Sequence, residues 1–100
     1  MNSRDLRRVW RQWYAENRRL ARRGGKHVVR YGRVFIMSDL PVDKPLARRM
    51  CKAADSQFRT LAEVFDFGSR IAGRRLETLA EVEAIALAVR REWSNAVQGR

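Results

Sequence analysis

Apolar residues in the first quarter of the chain recur at three- and four-residue steps: Leu6, Val9, Trp10, Trp13, Tyr14, Leu20 and Ala21. At about 100° per residue they fall on one side of a helix. Asn2 or Ser3 suits the start of that helix and Gly24-Gly25 its end, which predicts a helix over about 4–23. The period then changes. His27-Val28-Val29-Arg30 and Arg33-Val34-Phe35-Ile36-Met37 are rich in β-branched and aromatic types, so a short β-hairpin is expected over about 27–37 with its turn at Tyr31-Gly32.

The segment Leu40 to Pro45 reads as a loop, with Pro45 placed for the first turn of a second helix. From Leu46 onward Met50, Ala53, Ala54, Gln57, Phe58, Leu61, Val64 and Phe65 stay on one arc. Gln57 is the only polar member, so the helix is expected to run unbroken over about 45–66, with Gly68 as its stop. Thr78-Leu79-Ala80-Glu81 has the spacing of a capping box and opens a third helix over about 78–97. Its stripe is Leu79, Val82, Ile85, Ala86, Val89, Trp93, Ala96 and Val97. The pentapeptide Thr-Leu-Ala-Glu-Val occurs at Thr60 and again at Thr78; the offset is about five helical turns, too short for a repeat architecture, and reads as coincidence. The expected fold is α+β and mainly helical, a single small domain spanning 1–100, with three amphipathic helices and a hairpin between the first and second.

Charge changes this picture by its location. The chain of 100 residues carries 22 Lys and Arg against 11 Asp and Glu, a net charge of +11, and 19 of the basic residues are arginine. Residues 1–33 hold 11 basic and 2 acidic side chains; the remainder holds 11 and 9. Opposite the first apolar stripe lie Arg4, Arg7, Arg8, Arg11, Arg18, Arg19 and Arg22, with small Ala15 in their midst. Like charges at i,i+4 cost about 0.2–0.5 kcal/mol per pair, and only Asp5 and Glu16 offer local relief. A polyanion converts this repulsion into attraction, because each guanidinium forks onto phosphate oxygens and releases condensed counterions. A GC-rich base composition accounts for arginine over lysine, but not for arginine without interleaved glutamate on one face. The competing readings are a solvated face and a contact within the protein or between subunits.

Lys26 extends the basic surface toward the hairpin tip, Arg30-Tyr31-Gly32-Arg33, where two guanidinium groups flank an aromatic ring on an expected projecting loop. Such a loop enters a groove or lies along a phosphate backbone; an ordinary turn is the alternative. Arg70, Arg74 and Arg75 form a secondary basic patch inside Thr60 to Leu79, a stretch that loosely matches helix-turn-helix. The match fails where Arg74 and Glu77 take apolar positions and where Ser69 follows the turn glycine. Arg48, Arg49, Lys52 and Arg59, diluted by Asp55 and Glu63, read as a solvated face. Trp10, Trp13 and Tyr14 share their stripe with Leu6, Val9 and Leu20, so they read as core and not as a base-stacking platform.

One cysteine, Cys51, and one histidine, His27, exclude a Cys/His zinc site, an intrachain disulfide and a redox pair. Cys51 reads as a small buried hydrophobe and His27 as the start of a strand. No metal and no cofactor are expected. Phosphate-binding glycine loops, nucleophile elbows and metalloprotease helices are missing, and the acids are scattered, so the chain is not read as an enzyme. Without a run of about 18 apolar residues or a secretory start, it reads as soluble and cytoplasmic. The expectation is a small basic non-enzymatic protein that binds nucleic acid, DNA or RNA, by docking phosphates on the arginine face of its first helix and on the hairpin tip. The alternative is a small phage or mobile-element inhibitor or adaptor, of the kind anti-CRISPR proteins exemplify, that sets its arginines on an acidic protein surface or a nucleoprotein complex. A basic amphipathic helix lying on a membrane is a third reading. The stripes close one monomeric core or, with Trp93 and Val97, help make a homodimer.

Overall fold

Asn2 caps the first helix by accepting the Asp5 backbone N–H at 2.9 Å, and Gly24 and Gly25 release the chain at its other end. There the Lys26 N–H reaches the Ala21 carbonyl and the Gly25 N–H that of Arg22, the paired bonds of a Schellman ending. The computed structural model describes residues 2–38 and 44–98, with side chains through Ala96. Its elements are α1 (Ser3–Arg23), β1 (His27–Tyr31), β2 (Val34–Ser38), α2 (Lys44–Asp55), α3 (Leu61–Ile71) and α4 (Leu79–Gln98). The protein is mainly helical, with a two-stranded antiparallel hairpin between the first and second helices. Of the loop expected over Leu40 to Pro45, Lys44 and Pro45 belong to α2, and residues 40–43, like the side chain of Val97, lie outside the described residues.

The hairpin register pairs Tyr31 with Val34, so the turn is Gly32-Arg33, one residue later than the sequence pattern placed it. Gly32 has φ +62, the left-handed value that a type II′ hairpin turn demands at its first position. Because side chains alternate across a strand, this register decides which residues share a face. Phe35 and Arg30 are opposite one another and turn toward α1, where Phe35 meets Trp10, Trp13 and Tyr14 at centroid distances of 6.2, 4.5 and 5.1 Å. Tyr31 and Val34 turn the other way, toward α2, with Lys52 over the Tyr31 ring. Trp10 and Ala21 of the α1 stripe are buried and Trp13 and Tyr14 pack against the core, as the spacing predicts, whereas Val9 and Leu20 at the edge of the stripe are exposed. The Trp10 indole N–H donates to the Arg33 carbonyl at 2.9 Å.

The helix expected over 45–66 is two helices. Its apolar phase does continue across the break, but the chain turns at Ser56 and Gln57, both exposed, and restarts at Thr60. Two local devices impose the break. Thr60 and Glu63 form a reciprocal capping box, each side chain bonding the other's backbone N–H. Arg33 binds carbonyls at the preceding end, donating to Asp55 O at 3.0 Å and Phe58 O at 2.8 Å. The repeated pentapeptide is thus a helix start used twice: ahead of α4 the Glu81 N–H donates to the Thr78 hydroxyl, which donates to the Glu81 carboxylate, without the return bond from the Thr78 backbone that completes the box at Thr60.

Gly68 does not stop a helix; it lies inside α3, against Trp13. A Cβ there would sit 2.4 Å from the indole ring, so the missing side chain is what lets α1 approach α3. On the other side of α3, α4 contributes Val82, Ala86 and Val89 to the core. The α3–α4 contact is also ionic: Arg90 binds Glu63 at 2.8 Å, Arg70 binds Asp66 and Glu92, and the Trp93 N–H donates to Asp66.

Candidate functional site

All seven arginines of the predicted α1 face are exposed, and on a helix they span an arc of about 120°. Ion pairing divides that arc. Asp5 binds Arg8 at 3.2 Å and Glu16 binds Arg19, and both acids lie on the flank turned away from the hairpin. On the flank that meets the hairpin, Arg4, Arg7, Arg11, Arg18 and Arg22 form no ion pair among the described residues.

Arg30 continues this unpaired flank. Its guanidinium carbon sits 4.7 Å from the Trp10 ring centroid and 5.0 Å from that of Tyr14, and its Nε donates to Gly32 O at 2.7 Å. Stacking and one hydrogen bond hold the fork, and its two terminal nitrogens have no hydrogen-bond partner among the described residues. The Arg18 guanidinium carbon lies 5.8 Å from the centroid of the same Tyr14 ring.

The hairpin tip differs from the projecting loop expected of it. Arg33 is half-buried and bound to Asp55 through its Nε at 2.9 Å and its backbone N–H at 3.2 Å. Gly32 abuts the same carboxylate, which a Cβ at that position would approach to 2.6 Å. The tip is docked on the end of α2, and Tyr31 faces away from Arg30. Arg33 and Tyr31 thus anchor the hairpin, while Arg30 stays with α1.

The secondary patch also separates into parts. Arg70 is in the last turn of α3 and engaged by Asp66 and Glu92, whereas Arg74 and Arg75 lie on the irregular connection to α4, Arg75 standing 4.0 Å from Glu77. That connection replaces the arginine-bearing second helix of a helix-turn-helix. Arg74 and Arg75 border a cavity of about 760 Å³ with Trp13, Phe35 and Met50 on its walls.

Two further cations, Lys44 and the Arg48 that reads as part of a solvated face in the sequence, stand across a groove from the α1 row. Lys44 and Arg48, in the first turns of α2, line a groove of about 890 Å³ together with Arg18, Arg22, Lys26 and Arg30. A signal for them existed: the first turn of α2 holds Lys44 and no acid, the reverse of the usual preference at a helix start.

Cys51 is buried and bonded to the Val29 carbonyl, and burial pushes its thiol up to about 12, the wrong direction for a nucleophile. Among the described residues no three of His, Cys, Asp and Glu gather as metal ligands, and no helix is long and apolar enough to cross a membrane. No protein-family model matches the chain, and neither a curated protein nor a solved structure is significantly similar to it.

Proposed function

We propose that this protein binds nucleic acid without catalysing a reaction on it, holding phosphates on the hairpin-side flank of α1 and on Arg30. The observation that carries this reading is the divided face: five exposed arginines of one helix flank pair with no carboxylate among the described residues, and a stacked sixth continues them. Crowding them is unfavourable to the isolated protein, and a polyanion reverses the sign of that cost. From Arg4 to Arg22 the row extends about 27 Å at about 1.5 Å per residue. One strand of B-form duplex passes about eight phosphates in that distance. Contacts of this kind give affinity and orientation, with little sequence preference. The lone buried Cys51 suits a reducing, cytoplasmic setting.

Titration of a labelled duplex of about 20 base pairs at several salt concentrations tests the reading. With five or six phosphate contacts, log affinity should fall with a slope of about −5 against log salt. Absence of binding at low salt would contradict it. So would capture of a single protein partner that survives nuclease treatment, which would favour an inhibitor or adaptor on an acidic protein surface.

A further inference from the structure

The groove beside the α1 row is bounded by cations from three elements: Arg18 and Arg22 from α1, Arg30 from β1, and Lys44 and Arg48 from α2. None of these five forms an ion pair among the described residues, and no Asp or Glu of the described residues lines the groove. Between the cations, Ala21, Val28, Val29 and Pro45 supply apolar wall. At about 890 Å³ the groove has the capacity of a small-ligand pocket, on the order of 300–1,000 Å³. A duplex, whose major groove alone is about 12 Å wide, does not enter a space of that size.

Arg18 and Arg22 belong to the α1 row and to the groove at once, and Arg30 stands where the two meet. We propose that the groove receives a short single-stranded segment that continues from the phosphates held on α1. The cations would then clasp its sugar-phosphate backbone while its sugars and bases lie against the apolar wall. This rests on the nucleic-acid reading and sharpens it: the preferred partner has an unpaired end or loop beside a duplex. Trp10 and Tyr14 are covered by Arg30, so base stacking on exposed rings contributes little and the seat tolerates any sequence.

The test compares a blunt duplex with the same duplex carrying an overhang of about five nucleotides, made as DNA and as RNA, by fluorescence anisotropy. Wild-type protein should bind the overhang form about tenfold more tightly than the blunt form. The double variant Lys44→Gln/Arg48→Gln alters two exposed groove residues and leaves the α1 row intact. It should lose that preference yet keep its affinity for the blunt duplex within about twofold, with unchanged urea unfolding. Equal binding of blunt and overhang forms by the wild type, or a preference that persists in the double variant, overturns the groove proposal while leaving duplex binding on α1 standing. Failure of the wild type to bind either probe at low salt overturns both.

Discussion

Along the contact between α3 and α4 each inward arginine meets an acid, Arg90 with Glu63 and Arg70 with Asp66 and Glu92. Along the hairpin-side flank of α1, five arginines meet none among the described residues. The first set connects elements: Glu63 is only 2% exposed, and Arg90 satisfies a carboxylate already removed from water. Burial alone would raise the Glu63 carboxyl, but hydrogen bonds from Arg90 and Thr60 outweigh it and hold the group below its ordinary value. At Asp66 the Arg70 hydrogen bonds lead, burial opposes them, and the Trp93 N–H adds to the lowering. The second set meets no carboxylate among the described residues, and only Arg18 of it touches a ring. One residue type thus serves as internal fastening where acids surround it and as open surface where they are missing.

The largest expected effect separates the two sets by stability. Arg90→Met leaves the Glu63 carboxylate buried without its partner and should cost about 3–5 kcal/mol in urea denaturation. Arg7→Gln or Arg11→Gln should change stability by less than about 0.5 kcal/mol, with the sign toward stabilisation because a like-charge i,i+4 pair is relieved. A loss of more than about 2 kcal/mol from either α1 substitution would break the comparison.

Acid titration gives a smaller effect. Glu63 and Asp66 have folded values below their ordinary 4.5 and 3.8, so their contribution is complete above those values. It is lost as the pH falls through the lowered folded values. The wild type should therefore lose stability below about pH 4.5, and in Arg90→Met the part due to Glu63 should shrink, since burial then dominates at that carboxyl. An unchanged acid limb in the variant would contradict the assignment.

Two finer effects follow. Moderate salt should stabilise the free protein slightly by screening the α1 row, and the gain should diminish in Arg11→Gln/Arg18→Gln, read as a shift in the urea midpoint. Cys51 should resist thiol reagents at pH 8 in the native protein and react fully in denaturant, measured by mass spectrometry.

Much of this architecture was legible in the chain. The centre of the α1 stripe, its Gly24-Gly25 ending and the β-rich composition of the hairpin are local signals, and they place these elements correctly, with the turn one residue out and Val9 and Leu20 exposed. The break after Asp55 was hidden because Gln57, Phe58, Leu61 and Val64 keep the helical phase across it. The Thr60–Glu63 box, identical in spacing to the recognised one at Thr78, was the signal that could have found it. Gly68 was misread because its reason is tertiary, a close approach to Trp13. The arginine face was visible as a face, but its division was not. Periodicity cannot assign Arg33 to Asp55, and a turn one residue out of register moves Tyr31 to the other side of the hairpin.

The central claim, that the unpaired arginines bind phosphate and the paired ones do not, is tested most directly by two double variants of equal charge. Arg7→Gln/Arg11→Gln removes two unpaired guanidiniums from α1; Arg8→Gln/Arg19→Gln removes the two held by Asp5 and Glu16. For a duplex of about 20 base pairs, the first should reduce the steepness of the salt dependence by about 2, and the second by less than about 1. Equal reductions in the two variants, or a larger one in the second, would contradict the claim.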